Sequence, residues 1–269
     1  MDLGLAGKAC VVTGASRGIG RCTARMLTAD GASVLLVARD AGLLAGAVAE
    51  CEAAASAGAG AVALALDVTD AEAGGRILGA ADEHFGKLDV VVNNAGTSVW
   101  RELDEVPEAA WYSAWELNVM APMRLMKAAI PAMSERGWGR VVNVSSTAAK
   151  RPSANMPEYS VAKAAQLSLS RLFADRYAGE GVLVNAVCPG ATKSEMWMEA
   201  DGLLDQLMQS QGLDSRERAL EAAAKSRPIG RMAEVEEIAA AIVFLCSERA
   251  SYVAGSAWSV DGGTVQVII

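Results

Sequence analysis

The sequence predicts an α/β fold, a doubly wound sheet of seven parallel strands with helices on both faces, built as one domain over residues 1–269. Three observations carry this. Short β-branched or aliphatic runs alternate with longer Ala-rich amphipathic segments, and strands separated by helix-length connections pair in parallel. The runs Val34–Val37 and Val90–Val92 are continuously apolar, which strands covered on both faces require because neither side meets water. Composition does not shift between the two halves, and a chain of 269 residues can bury one sizeable core.

The strand candidates, in order, are Lys8–Val12, Ser33–Ala38, Ala61–Leu66, Leu88–Val92, Arg140–Val144, Val182–Val187 and Ser256–Val260. After the first comes Thr13-Gly14-Ala15-Ser16-Arg17-Gly18-Ile19-Gly20, a glycine turn with a helix expected to begin near Arg21. The Ala/Gly-rich stretch Ala53–Ala61 reads as a helix end and turn, not as a linker. The lone histidine, His84, precedes Phe85-Gly86 at a helix end and reads as a surface or capping residue; without a His cluster no metal site is expected. Two long helices, about Glu108–Met133 and Tyr159–Gly179, carry apolar positions beyond what one sheet face needs. From about 193 to 227 the strand-helix rhythm breaks. This segment carries Met196, Trp197, Met198, Leu203, Leu204, Leu207 and Met208, and it reads as a substrate lid.

Charge and cysteine usage exclude some functions. Lys and Arg number 24 against 32 Asp and Glu, a net charge of -8, with no basic stripe for nucleic acid or anionic lipid. Cys10, Cys22, Cys51, Cys188 and Cys246 form no CxxC pair and read as reduced packing residues of a cytoplasmic protein. The longest uncharged stretch, Ala53–Leu66, is too short to span a bilayer, and the N-terminus lacks the pattern of an export signal. Small molecules are the expected partners.

The glycine turn suits a pyrophosphate. Gly14 permits a tight turn, while Gly18 and Gly20 let backbone amides and a helix N-terminus approach the charge. Ser16, Arg17 and Ile19 complete this cofactor-binding set. Three residues separate the first two glycines, so the spacing departs from GxGxxG. At the end of the second strand, where an acid would hold an adenosine ribose, stands Ala38-Arg39-Asp40. Arg39 with Arg17 could clamp a 2′-phosphate, which favours NADP(H) over NAD(H). If Arg39 is instead a solvated helix-entry residue and Asp40 an N-cap, the preference disappears and NAD(H) is possible.

Tyr159 and Lys163 stand four apart in a helical segment and share a face. A nearby cation favours a phenolate and brings a tyrosine toward the working range of a general acid or base. Ser146 follows the strand Arg140–Val144 at the sheet edge where active sites of such folds lie. Together Thr13–Gly20, Asn93-Asn94-Ala95-Gly96, Asn118, Ser146, Tyr159-xxx-Lys163, Pro189-Gly190 and Asp261-Gly262-Gly263 resemble the short-chain dehydrogenase/reductase family in its classical form, over nearly the whole chain. The resemblance implies a Rossmann-like fold and an oxidoreductase similar to 3-oxoacyl-thioester reductases. It implies that Ser146 polarises the substrate oxygen, Tyr159 exchanges its proton, Lys163 lowers the tyrosine pKa and binds the nicotinamide ribose, and Asn118 holds a relay water. It places Asp67-Val68 at the adenine, Asn94, Ala95 and Gly96 on the adenosine side, and Pro189, Gly190, Thr192 and Ser194 at the nicotinamide. Ser145 rivals Ser146, but the thirteen-residue interval to Tyr159 matches the family's pattern and strand alternation turns the two apart. Ala149 replaces a glycine common in the family. Lys150 and Arg151 beside it read as a solvated loop, with a border of the substrate entrance as the alternative.

The substrate wall is expected from Ala148–Pro157, Trp100 and the lid, whose Met and Trp residues suit a hydrophobic or ring-bearing carbonyl or alcohol and equally suit a packing helix. Pairing of the two long helices, frequent in the family, implies a homotetramer. Two other functions stay open: an NAD-dependent dehydrogenase of a cyclic alcohol or diol, and a cofactor-binding sensor without turnover, against which intact Ser146, Tyr159 and Lys163 argue.

Overall fold

The computed structural model describes residues 2–266, so Met1 and residues 267–269 of the expected domain lie outside the described residues. Seven strands form one sheet: β1 Ala9–Thr13, β2 Ser33–Ala38, β3 Ala61–Ala65, β4 Val90–Asn93, β5 Gly139–Val144, β6 Val182–Pro189 and β7 Ala257–Val260. Their order is β3-β2-β1-β4-β5-β6-β7, parallel throughout. Every expected run forms a strand, some with ends moved by a residue or two. The helices are α1 Gly18–Ala29, α2 Ala41–Ala54, α3 Ala73–Phe85, α4 Glu108–Trp115, α5 Ala121–Glu135, α6 Pro157–Tyr177, α7 Glu195–Met198, α8 Leu203–Ser210, α9 Arg216–Lys225 and α10 Val235–Cys246.

Strand alternation distributes the apolar runs between two cores. Cys10, Val12, Val34 and Leu36 pack with Leu27 of α1, Leu44 of α2, and Ile238 and Ile242 of α10. Their neighbours Val11, Leu35 and Val37 face the other way, onto Ile77 of α3 and Leu125, Met126 and Ile130 of α5. Successive side chains point to opposite faces, so a strand covered on both sides must be apolar at every position. No helix among the described residues is long and apolar enough to cross a membrane. Nor does any group of three or more His, Cys, Asp or Glu among them suit a metal ion.

Two helix expectations need correction. The helix after the glycine turn begins at Gly18, not near Arg21, so Gly18 and Gly20 lie within its first turn. The single helix expected over Glu108–Met133 is interrupted: a π-helical turn, Glu116–Met120, separates α4 from α5. Asn118 sits in that turn and its Nδ2 donates to the Ala114 carbonyl at 2.9 Å.

From β1 the chain winds outward to β2 and β3, then returns to place β4 on the other side of β1. A crevice opens at such a reversal, outside the carboxyl ends of the strands. The glycine turn after β1 and the Asn93–Gly96 turn after β4 meet there.

Candidate active site

The two turns are locked to each other by Thr13 and Asn94. The Thr13 hydroxyl accepts the amides of Asn94 at 3.0 Å and Ala95 at 3.1 Å, and Asn94 Nδ2 donates to the carbonyls of Thr13 at 2.9 Å and Gly14 at 3.2 Å. Gly14 has φ +64, and a Cβ there would stand 2.8 Å from Ala95 Cα, so both its left-handed backbone and the close approach require glycine. At α1 the N-cap is Arg17, which makes no side-chain cap, and the first turn carries no acid. Its amides therefore remain available to an anion. These features fit a dinucleotide pyrophosphate.

The cations expected to bind a 2′-phosphate do not act as a pair here. Arg17 Nη1 bonds Glu199 Oε2 beyond α7 at 2.8 Å, across 182 residues of sequence, so it faces the lid. Arg39 is exposed at the end of β2, and its charge helps hold the Asp67 carboxyl below the usual range after the larger effect of the Thr69 amide and hydroxyl. Asp40 is indeed an N-cap: its carboxylate accepts the Leu43 amide at 2.9 Å. Asp40 thus caps α2 and Arg39 is left open to solvent, as the helix-entry reading of Ala38-Arg39-Asp40 describes. Val68 packs partly buried against the α3/α5 core.

The catalytic candidates converge from β5, the π turn and α6. Pro157 opens α6 at a position where its missing N–H is no loss, with Glu158 as a favourable acid in the first turn. Glu158 is anchored by Arg101 at 2.8 Å, which fixes the start of the helix and hence Tyr159. Beyond β5, Ser146 is extended and its hydroxyl accepts the Ala148 amide at 3.1 Å, while Ser145 turns inward and donates to the Lys163 carbonyl at 3.1 Å. Strand alternation thus separates the two serines as expected. Lys163 is 2 % exposed; its Nζ donates to the Val144 carbonyl at 2.7 Å and to Gln166 Oε1 at 3.3 Å. Asn118 Oδ1 is buried without a hydrogen-bond partner, and a Cβ on Gly96 would meet it at 3.4 Å and Lys163 Nζ at 3.6 Å.

Electrostatics correct one expectation. Burial pushes the Tyr159 phenol up to about 12, against the opposing hydrogen bond with Ser146, and burial brings the Lys163 ammonium down to about 7. The lysine was expected to depress the tyrosine. Instead its Nζ is drawn to the Val144 carbonyl and lies 5.6 Å from the Tyr159 ring centroid, so desolvation outweighs the pairing.

Tyr159, Ser146 and Lys163 open into a cavity of about 630 Å³ that also takes in Asn94, Gly96, Pro189, Gly190, Thr192 and Ser194. Thr192 is buried and its hydroxyl donates to the Gly190 carbonyl at 3.0 Å. The lid supplies Met196, Trp197, Leu203 and Leu207 to the wall, while Leu204 is buried outside it. The lid's apolar residues therefore divide between lining the cavity and packing beneath it. Trp100 lines the cavity as expected. Lys150 and Arg151 divide: Lys150 Nζ binds the Ala257 carbonyl at 2.6 Å and Ser259 at 3.0 Å, and Arg151 borders the cavity. His84 is exposed in the last turn of α3. All five cysteines are free and buried.

Sequence reasoning missed two contributors. Thr13 is the bridge between turns, signalled only by its place before Gly14. Arg227, at the end of the lid, lines the cavity, and no local pattern pointed to it.

Comparison with known proteins places this geometry among relatives. The family model described as Enoyl-(Acyl carrier protein) reductase matches residues 14–265. Cis-4-hydroxycyclohexanecarboxylate dehydrogenase of Sinomonas cyclohexanicum is 38% identical, covering 99% of this chain and 100% of that one. The 3-oxoacyl-[acyl-carrier-protein] reductase of Vibrio harveyi is 34% identical, over 98% and 100% of the respective chains. Among solved structures, L-sorbose reductase from Gluconobacter frateurii, complexed with NADPH and L-sorbose, superposes with a TM-score of 0.92 at 35% identity over 100% of both chains.

Proposed function

The chain belongs to the short-chain dehydrogenase/reductase family of NAD(P)-dependent oxidoreductases, and from that premise we propose that it transfers a hydride between NADP(H) and a carbonyl or secondary alcohol with Tyr159 as general acid/base. The observation that carries the reading is the convergence of Ser146, Tyr159 and Lys163 on one cavity that continues to Asn94 and Gly96 beside the glycine turn. We treat residues 1–269 as one dinucleotide-binding and catalytic unit with a lid at about 193–227, and with its five cysteines buried we keep a cytoplasmic setting in this reading.

When bound, the nicotinamide supplies or accepts the hydride. The glycine turn with Ser16, Arg17 and Ile19 would hold the pyrophosphate, Asp67 and Val68 the adenine, and Asn94, Ala95 and Gly96 the adenosine side. Pro189, Gly190, Thr192 and Ser194 would line the nicotinamide. Ser146 donates a hydrogen bond to the substrate oxygen, and the Tyr159 hydroxyl delivers or removes its proton. A phenol held near 12 stays protonated at neutral pH, the form required to protonate the oxygen during reduction. Asn118 Oδ1, buried and without a partner beside Lys163, is the acceptor a proton relay would use. Lid residues Trp197, Leu203 and Leu207 exclude water from the reacting atoms.

The preference for NADP(H) rests on exposed Arg39, and the solved relative complexed with NADPH supports it. An Arg39→Ser variant is expected to raise KM for NADPH about 10- to 100-fold with little change for NADH; equal turnover with both nicotinamides in the unaltered protein would remove the preference. A cyclic alcohol as substrate is the second reading, favoured by the dehydrogenase relative from Sinomonas cyclohexanicum. Assembly as a homotetramer is supported by apolar side chains exposed on α4 and α6: Tyr112, Trp115, Val161 and Leu172. Sedimentation velocity is expected to report a tetramer, and a monomer at micromolar concentration would contradict this.

A further inference from the structure

The cavity's charged lining is entirely cationic: Lys163, Arg151 and Arg227, with no Asp or Glu, in a chain of net charge -8. Lys163 is committed to the Val144 carbonyl. The two arginines are not paired. Neither forms a salt bridge among the described residues, whereas lid neighbours Arg216 and Arg218 each hold an aspartate.

Arg227 follows α9 and is half-buried. Its Nη1 donates to the Ala223 carbonyl and to Ser226 Oγ at 2.9 Å, which pins the guanidinium. Its Nε is buried and has no partner, and Nη2 makes no hydrogen bond among the described residues. Nε and Nη2 form one edge of the guanidinium, the edge that matches the two oxygens of a carboxylate. Nearby Asp261 does not occupy that edge: its oxygens accept the Gly263 amide at 3.0 Å and the Val265 amide at 2.9 Å. Arg151 flanks the same turn, with Nη1 3.5 Å from the Thr264 carbonyl, and it is exposed at the rim. Trp100 Nε1, a donor that cannot accept, is also buried without a partner on the cavity wall. Two residues of the cavity wall thus carry buried donors without a partner, and such donors are costly unless an acceptor reaches them. Trp100 and Trp197 give the remaining wall flat apolar faces.

We propose that the substrate is a ring-sized apolar ketone or alcohol carrying a carboxylate remote from the reacting carbon, bound side-on by Arg227 with Arg151 at the rim. This rests on the reading of the cavity as the substrate site, and it names the class of molecule that site selects.

The test compares 4-oxocyclohexanecarboxylate with its neutral carboxamide. The unaltered enzyme is expected to favour the acid in kcat/KM by about 10- to 100-fold, mostly through KM, which is the size of a charge-assisted hydrogen-bonded pair. Arg227→Gln should bring the ratio to within about threefold of unity, and Arg227→Lys, which keeps the charge and loses the two-donor edge, should fall between. Calorimetric binding of cyclohexanecarboxylate, which has no carbonyl carbon to reduce on its ring, should weaken by the same factor in Arg227→Gln. A ratio near unity in the unaltered enzyme, or one that survives both substitutions, overturns the proposal while leaving the reductase reading intact. Binding lost in Arg227→Gln with neither ketone turned over would sustain the carboxylate site and remove the reductase reading. Should Arg227→Gln fail to fold, the acid-to-amide ratio of Arg227→Lys decides.

Discussion

Replacing Tyr159 by Phe is expected to lower kcat by about 10²- to 10⁴-fold, the range spanned by a positioned proton donor. The ring stays and the hydroxyl goes, so the packing of α6 is untouched. The phenol lies at the end of a chain of constraints: Arg101 binds Glu158 at the start of α6, and Ser146 lines the same cavity as the hydroxyl. Loss of one hydrogen bond costs about 0.5–1.5 kcal/mol, so the variant should fold and bind NADPH nearly as the unaltered protein does. The check is steady-state turnover of a ketone alongside a fluorescence titration with NADPH. Full turnover by the phenylalanine variant would remove Tyr159 from the reaction, and nicotinamide binding without turnover of any carbonyl by the unaltered protein would return the sensor reading to favour.

Lys163→Met should move activity and stability in opposite directions. Turnover is expected to fall at least about a hundredfold, because the cation beside Asn118 and Tyr159 is lost. Stability follows the sign of the pKa shift. In the folded chain burial brings Lys163 down to about 7 from its ordinary 10.5. Between those values the unfolded state binds more protons, so the lysine's contribution to stability rises with pH across this window; below about 7 its burial penalty is present in full. Methionine removes that penalty. The gain in stability of the variant over the unaltered protein should therefore be largest near pH 6 and shrink by about 2–3 kcal/mol on going to pH 9, at about 1.4 kcal/mol per unit. Losing the donor to the Val144 carbonyl subtracts about 1–3 kcal/mol at every pH and leaves the slope unchanged. Tyr159, pushed up to about 12 from 10, titrates above the window and does not disturb it. Thermal melts of both proteins across pH 6–9 measure this, and a pH-independent difference would mean that Lys163 keeps an ordinary pKa.

The alternation of runs and the glycine turn are local properties, and they were sufficient for the sheet. Val34–Val37 must be apolar at every position only if both faces are covered, and the two cores on either side of β2 bear that out. The parallel direction of the strands also follows, because parallel pairing needs helical crossovers that the sequence displays between every pair of runs, whereas their order β3-β2-β1-β4-β5-β6-β7 came from the tertiary structure. The π turn at Glu116–Met120 was not legible, because no residue type or spacing marks it.

At the site, one-dimensional spacing specified which side chains share a helix face or follow a strand end, and it therefore brought Tyr159, Lys163 and Ser146 into view. Tertiary structure decided their charge states and companions. Desolvation depends on everything packed around a group, so the Lys163–Tyr159 pairing predicted from four-residue spacing gives way to burial. Arg17 was assigned to a phosphate by its place in the turn, yet its partner Glu199 stands 182 residues away. Arg227 belongs to no motif, and only the folding of the chain brings it to the cavity. Sequence by itself placed Tyr159, Lys163 and Ser146 within reach of one another, because their spacing is fixed by helix and strand geometry; the charge lining the cavity was decided by tertiary contacts, whose long-range pairings leave no periodic trace.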